Sequence, residues 1–275
     1  MPIAGRIAAV SGYFLRILAC AAAASAHSAP AGDATKPRGG SFFETFNRLN
    51  PMAWEISDGW SNGAHQGCTW SKTKVRIESG GLALMLGRVP SGESIYQCGE
   101  IQSRAFYDYG TFEVRMRAAR ASGINSAFFT YVGPTHGQPH DEIDFEVLGR
   151  STREVQINTF VAGKGGHVQT VPNGTDSADE FVDYAFEWTP DRVRWFVNGK
   201  LLHEISGRGE NVPTHAAKIY LSIWNGHGLD DWLGRFEEPH EPLKMFVKHV
   251  AFTELGHPCQ FPSSIVCGQR SSGSK

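Results

Sequence analysis

A chain of 275 residues is long enough for one large all-β domain or two ordinary ones, and its 31 Gly, 14 Pro and 11% aromatic residues favour a turn-rich β protein. A formal charge of −2 and the lack of any basic run exclude the electrostatic footprint of a nucleic-acid binder. No segment approaches the ~20 apolar residues of a spanning helix, so the mature chain is expected to have no membrane partner.

Arg6 and Arg16 precede an apolar stretch that ends in Ala24-Ser25-Ala26, a small-x-small site, so residues 1–26 read as a secretory signal. A secreted or periplasmic protein follows. Ile17-Leu18-Ala19-Cys20 faintly resembles a lipoprotein box, but Arg16 directly before it argues against that route. Residues 27–40 are Ala, Pro, Gly and Ser with scattered charge, too little apolar surface to fold, and read as a flexible linker. A single folded domain is expected over 41–256, with a polar C-terminal tail over 257–275 that frays at its Ser-rich end. Loss of the signal leaves Cys68, Cys98, Cys259 and Cys267, an even number that implies disulfides in an exported chain. Three pairings are open; sequence proximity favours Cys259 with Cys267, leaving Cys68 with Cys98.

Short β-type runs begin near Ser41-Phe42-Phe43 and recur between turn signals. Lys74 to Glu78 and Leu82 to Leu86 flank Ser79-Gly80-Gly81, a hairpin break. Thr111 to Arg117 alternates apolar with charged residues, and Ala127 to Val132 is continuously apolar and aromatic until Gly133-Pro134. After the segment from Asp141 come Val155 to Val161, Tyr184 to Trp188 and Val193 to Val197. Asn198-Gly199 then predicts a type I′ turn into Leu201 to Ile205. Ile219 to Trp224 and Met245 to Leu255 complete about a dozen strands with no long amphipathic helix. The fold class expected is all-β: a two-sheet, concanavalin-like jelly-roll sandwich with a concave cleft.

Asp141-Glu142-Ile143-Asp144-Phe145-Glu146-Val147-Leu148-Gly149 dominates the functional reading. Its two-residue period puts Glu142, Asp144 and Glu146 on one face of a strand and the apolar residues on the other. Same-face neighbours stand roughly 7 Å apart at the backbone, and like charges that close raise at least one pKa. One ionised and one protonated carboxyl flanking a bond is the equipment of glycoside hydrolysis. A solvated sheet face and a calcium-binding acidic strand are the other readings of this pattern.

Several segments, in order, resemble glycoside hydrolase family 16, and within it the bacterial endo-β-1,3-1,4-glucanases called lichenases. They are Gly40-Ser41-Phe42-Phe43-Glu44, Asp58-Gly59-Trp60-Ser61-Asn62-Gly63, Cys68-Thr69-Trp70, Phe128-Phe129-Thr130-Tyr131, Asp141 to Gly149, Gly165-Gly166-His167, Trp224-Asn225-Gly226 and Asp230-Asp231-Trp232-Leu233-Gly234. The resemblance implies a jelly roll, a retaining endo-glycanase acting on a polysaccharide without any cofactor, and a disulfide like Cys68 to Cys98. It implies Glu142 as nucleophile, Glu146 as acid/base and Asp144 as the helper between them. Four residues of strand separate the two Glu backbones by about 13 Å whereas retention needs carboxyls about 5 to 5.5 Å apart, so both side chains must lean inward. A single residue separates Asp144 from Glu146, as in lichenases; the related β-1,3-glucanases usually carry one more.

By the same resemblance Asn62, Glu100, Phe129, Asn158, Trp224 and Trp232 are sugar contacts, with Trp60 where lichenases have Tyr. Four positions depart from the pattern: His140 stands for Trp, and is placed here among the substrate-binding residues; Gln102 stands for Arg, Gln66 for Phe and Phe160 for Tyr. The departures are similar to exported endo-glycanases of this family that cleave bacterial exopolysaccharide such as succinoglycan. A lichenase, a transglycosylase and a non-catalytic carbohydrate-binding protein are the alternatives, and a monomer is expected. Many members hold a structural calcium through an Asp of the last strand; Lys248 aligns there, so no metal is expected.

Overall fold

The computed structural model describes residues 37–89 and 95–272. The expected signal segment and most of the linker lie outside the described residues. Among the described residues, alternating apolar and polar side chains fold into 17 strands in two antiparallel-dominated sheets, against about a dozen read from the sequence. Among the described residues no helix is long and apolar enough to cross a membrane.

One sheet has seven strands in the order Gln169–Pro172, Glu154–Phe160, Asp141–Leu148, Ile124–Val132, Lys218–Asn225, Glu100–Ser103 and Trp54–Ile56. The other has ten and centres on Gly110–Arg117, which lies between Val182–Trp188 and the twelve-residue strand Leu243–Glu254. The acidic strand is central in its sheet, so both edges are hydrogen-bonded, and its apolar alternates Ile143, Phe145 and Val147 are fully buried between the sheets. Phe145 meets Phe128 on its own sheet and Tyr184 and Phe186 on the other, with ring centroids 5.1 to 6.5 Å apart. Burying a side chain of that size stabilises the fold by about 2 to 3 kcal/mol. A polar contact also spans the sandwich: Trp195 donates its indole N–H to the backbone carbonyl of Asp144 at 3.2 Å.

The two disulfides join Cys68 to Cys98 and Cys259 to Cys267, the pairing that proximity favoured. Asn198 and Gly199 both take positive φ, 49° and 75°, as the type I′ turn requires. Two boundaries differ from expectation. Within the stretch read as linker, Arg38 bridges to Phe106, whose backbone exchanges hydrogen bonds with Pro37 and Gly39. Within the stretch read as tail, residues 265–272 form a helix. Its start is tied to buried Glu113 by the Ser264 hydroxyl at 2.6 Å and the Ile265 N–H at 3.0 Å, while Phe261 stacks on Phe43. The polar composition of 257–272 concealed this because the anchoring carboxylate lies some 150 residues away.

Candidate active site

The register of the acidic strand decides what surrounds each carboxylate. Directly opposite residues share a face, so Glu142 is flanked by Phe160 and Tyr131, Asp144 by Asn158 and Phe129, and Glu146 by Gln156 and Ala127. The rows continue across the sheet: Phe129 faces Tyr220, which faces Gln102, and Ala127 faces Ser222, which faces Glu100. Glu100 is thus three strands from Glu146, about 14 Å along one row. That length suits an extended polymer crossing the strands.

The strand is held at its start and its middle. Asp141, 1% exposed, accepts hydrogen bonds from the backbone N–H groups of Ala162, Thr214 and His215 and shares another with the His215 ring. Despite the opposing effect of burial, those donors keep its carboxyl below the usual range. Trp195 grips the carbonyl of Asp144 from the opposite sheet. The acids therefore project from a backbone that packing and hydrogen bonds both fix.

Their electrostatics differ sharply. Asp144 is 3% exposed, and burial, then the charges of Glu142 and Glu146, drive its pKa far up; it hydrogen-bonds to Glu142. Glu146 is pushed up to about 8, by loss of water first and by the Glu142 charge second, although the Asn125 amide donates to it at 2.8 Å. Glu142 touches the His140 Nε2 through Oε2 at 2.5 Å. The arrangement places Glu142 four residues from Glu146, whose raised pKa keeps a proton on it near neutral pH, with buried Asp144 between them and bonded to Glu142. It can attack an anomeric carbon at one end and deliver a proton at the other.

Beside His140, the expected sugar contacts fall into four groups. Phe129 lies on the acid-bearing face, stacked on Tyr220 with centroids 5.0 Å apart, and Asn158 sits opposite Asp144 with its amide oxygen taking the His167 N–H. Trp224 and Trp232 pair at 5.9 Å, and the Trp232 indole donates to Gln156 at 2.7 Å, bringing both rings beside the Glu146 row. Trp60 and Asn62 belong to a loop in which Gln66 accepts the Asn62 N–H and donates to the carbonyl of Cys68. Trp60 is 43% exposed and set edge-on to Trp70. Glu100 is 2% exposed, accepts the Ser57 hydroxyl at 2.6 Å and is raised to about 8 by burial, so it enters this face as a neutral group.

Sequence reading missed Asn125, Tyr131, Gln156, Tyr220 and Lys218. Extending the two-residue period back to Ile124 would have put Asn125, Ala127, Phe129 and Tyr131 on one face, and the same rule on 154–160 finds Gln156. Gln102 is engaged internally: its Oε1 takes the Lys218 ammonium at 2.8 Å and the Tyr220 hydroxyl at 3.3 Å.

Among the described residues no cluster of three or more His, Cys, Asp or Glu is placed to hold a metal. On the other sheet Lys248 donates to the carbonyl of Ser79 at 3.1 Å and lies over the Phe181 and Phe246 rings. An ammonium supplies positive charge and donors only, so the residues at this point do not fit a calcium ion.

Comparison with known proteins identifies the family. The sequence profile of Glycosyl hydrolases family 16 matches residues 62–239. The endo-1,3-1,4-beta-glycanase ExoK of Rhizobium meliloti is 48% identical over 229 residues, 82% of this chain and 84% of that protein. The beta-glucanase of Bacillus subtilis is 40% identical over 245 residues, covering 89% and 95%. The solved structure of the Bacillus licheniformis beta-glucanase superposes with a TM-score of 0.75 at 41% identity over 78% of this chain and 99% of that one. With its two-sheet architecture and its ladder of acids in register, the chain belongs to glycosyl hydrolases family 16 and is a glycoside hydrolase.

Proposed function

We propose that this protein is a secreted, monomeric, retaining endo-β-glycanase that cuts internal bonds of a 1,3-1,4-linked β-glucan or of a bacterial exopolysaccharide such as succinoglycan. The observation that carries the mechanism is the ladder Glu142, Asp144, Glu146 on one face of the strand, with a proton held at its end by the raised pKa of Glu146. In the first step a Glu142 oxygen attacks the anomeric carbon while Glu146 gives its proton to the departing glycosidic oxygen. Asp144, protonated and bonded to Glu142, steadies the nucleophile. In the second step Glu146, now ionised, takes a proton from water, the water oxygen bonds to the anomeric carbon, and Glu142 leaves as carboxylate.

Substrate choice is argued from the cleft. The 1,3-1,4 linkage is supported by relatives whose names carry that activity. Exopolysaccharide is favoured over cereal glucan by the four departures. Gln102 spends its carbonyl oxygen on Lys218 and Tyr220, and Gln66 on the Asn62 loop, so neither offers a sugar what Arg or Phe would. Export is supported by two disulfides, which form in oxidising compartments. Incubation of the purified protein with lichenan, laminarin and succinoglycan, with sizing of products, is the test. Rapid loss of polymer length on lichenan or succinoglycan is expected; release of monosaccharide alone, or preference for laminarin, would refute the proposal.

A further inference from the structure

His140 sits immediately before the acidic strand, and its ring is clamped. It stacks on Phe160 with centroids 4.9 Å apart and planes 16° from parallel, and meets Tyr131 edge-on at 5.1 Å. Phe160 and Tyr131 are the two cross-strand neighbours of Glu142 itself. The His140 carbonyl is bonded to the Gly163 N–H at 2.8 Å, which fixes the backbone end. The nucleophile thus stands between two rings, with an imidazole resting on both and its Nε2 touching Glu142 Oε2 at 2.5 Å.

The nucleophilic form of Glu142 is a carboxylate, which can only accept, so in that form the hydrogen in this contact belongs to Nε2. We propose that His140 is a positioning residue for Glu142, donating Nε2–H to Oε2 so that Oε1 is presented to the anomeric carbon. This assignment rests on the glycanase reading above and deepens it, moving His140 from the sugar contacts to the nucleophile. When Oε1 attacks, the C1–O bond to the leaving group breaks and its electron pair departs with that oxygen. Oε2 becomes the carbonyl oxygen of the glycosyl ester and still accepts from His140. In hydrolysis of the ester, charge returns to Oε2, where the same N–H meets it. Loss of the donor therefore slows both steps through misalignment of the nucleophile rather than through weaker sugar binding, since small displacements of reacting atoms cost about 10²-fold in rate.

The test uses His140→Phe, which keeps a stacking ring without a donor, and His140→Gln, whose amide can donate from a similar position. The probe is a 2,4-dinitrophenyl 2-deoxy-2-fluoro-β-laminaribioside, whose leaving group needs no proton, so Glu146 does not limit the reaction. Mass spectrometry follows ester formation on Glu142. Native protein is expected to label at Glu142; His140→Phe labels about 10²-fold more slowly at an unchanged saturation constant. His140→Gln recovers most of the rate, and both variants melt with the native protein. Equal labelling by native and Phe proteins, failure of Gln to rescue, or a defect confined to the saturation constant would overturn the proposal. If native protein labels on a residue other than Glu142, or on none, the nucleophile assignment is what has failed, and the role of His140 falls with it.

Discussion

Two buried acids on opposite outer faces of the sandwich show how one side chain serves structure or chemistry. Glu113, on the ten-stranded sheet, is 4% exposed, and burial raises its pKa. Both of its oxygens are occupied, one by the Ser264 hydroxyl and one by the Ile265 N–H. Glu146, on the seven-stranded sheet, is raised for the same reason, yet among the described residues only the Asn125 amide donates a hydrogen bond to it, through one oxygen. Saturation turns an acid into an anchor for the C-terminal segment. Leaving an oxygen open keeps a proton available for a substrate.

That contrast breaks most visibly on the acidic strand. Glu142→Gln and Glu146→Gln are each expected to lower kcat on a natural polymer by about 10³-fold or more with the fold intact. With an activated leaving group, azide should rescue Glu146→Gln to a β-glycosyl azide and Glu142→Ala to an α-glycosyl azide, as read by NMR of the products. Opposite stereochemistry would exchange the two roles.

Altering the anchor should do the reverse. Glu113→Ala leaves the Ser264 hydroxyl and Ile265 N–H without their acceptor and is expected to destabilise the protein by about 1 to 3 kcal/mol while kcat stays within twofold. Denaturant melts and initial rates together decide this; a loss of activity at full stability would tie the tail to catalysis.

Titration sharpens the comparison. Glu146 must carry its proton to act as acid, so kcat/KM should fall as pH rises through about 8. Glu100, also raised to about 8, favours the protonated native state: its contribution to stability is complete below the unfolded carboxyl range and is lost as pH climbs through about 8. Glu100→Gln should therefore flatten the decline in melting temperature between pH 5 and 9 without moving the alkaline limb of activity. An unchanged melting profile would show that Glu100 titrates normally.

The smallest effect is expected from chelation. Because Lys248 donates to the Ser79 carbonyl, chelator and added calcium should each leave the melting temperature within about 1 °C. A drop of several degrees that calcium reverses would mean that a cation is bound despite the ammonium.

The acidic strand was legible because strict alternation needs no partner to be recognised, and the two-residue period put Ile143, Phe145 and Val147 inside. The strand Glu100–Ser103 was not, since four residues after Gly99 carry too few alternations to register, and with it Gln102 was left without its sheet neighbours. Trp195 and Asp144 are 51 residues apart, and nothing in a local window announces a hydrogen bond between opposite sheets. The motifs of the resemblance supplied side-chain roles; periodicity supplied only their common face.

The indole of Trp195 gives the acidic strand a thermodynamic partner outside its own sheet. Local openings release segments that have few buried contacts, whereas elements bound to both layers exchange their amide hydrogens only when the whole domain opens. Amides of 141–148 should therefore belong to the slowest-exchanging set, while those of the exposed loop at 60–65 exchange early. On heating, Glu142 and Glu146 should lose their alignment at the same temperature at which the sandwich comes apart, so that inactivation and unfolding share one midpoint. In Trp195→Phe the two curves should separate, with activity fading first.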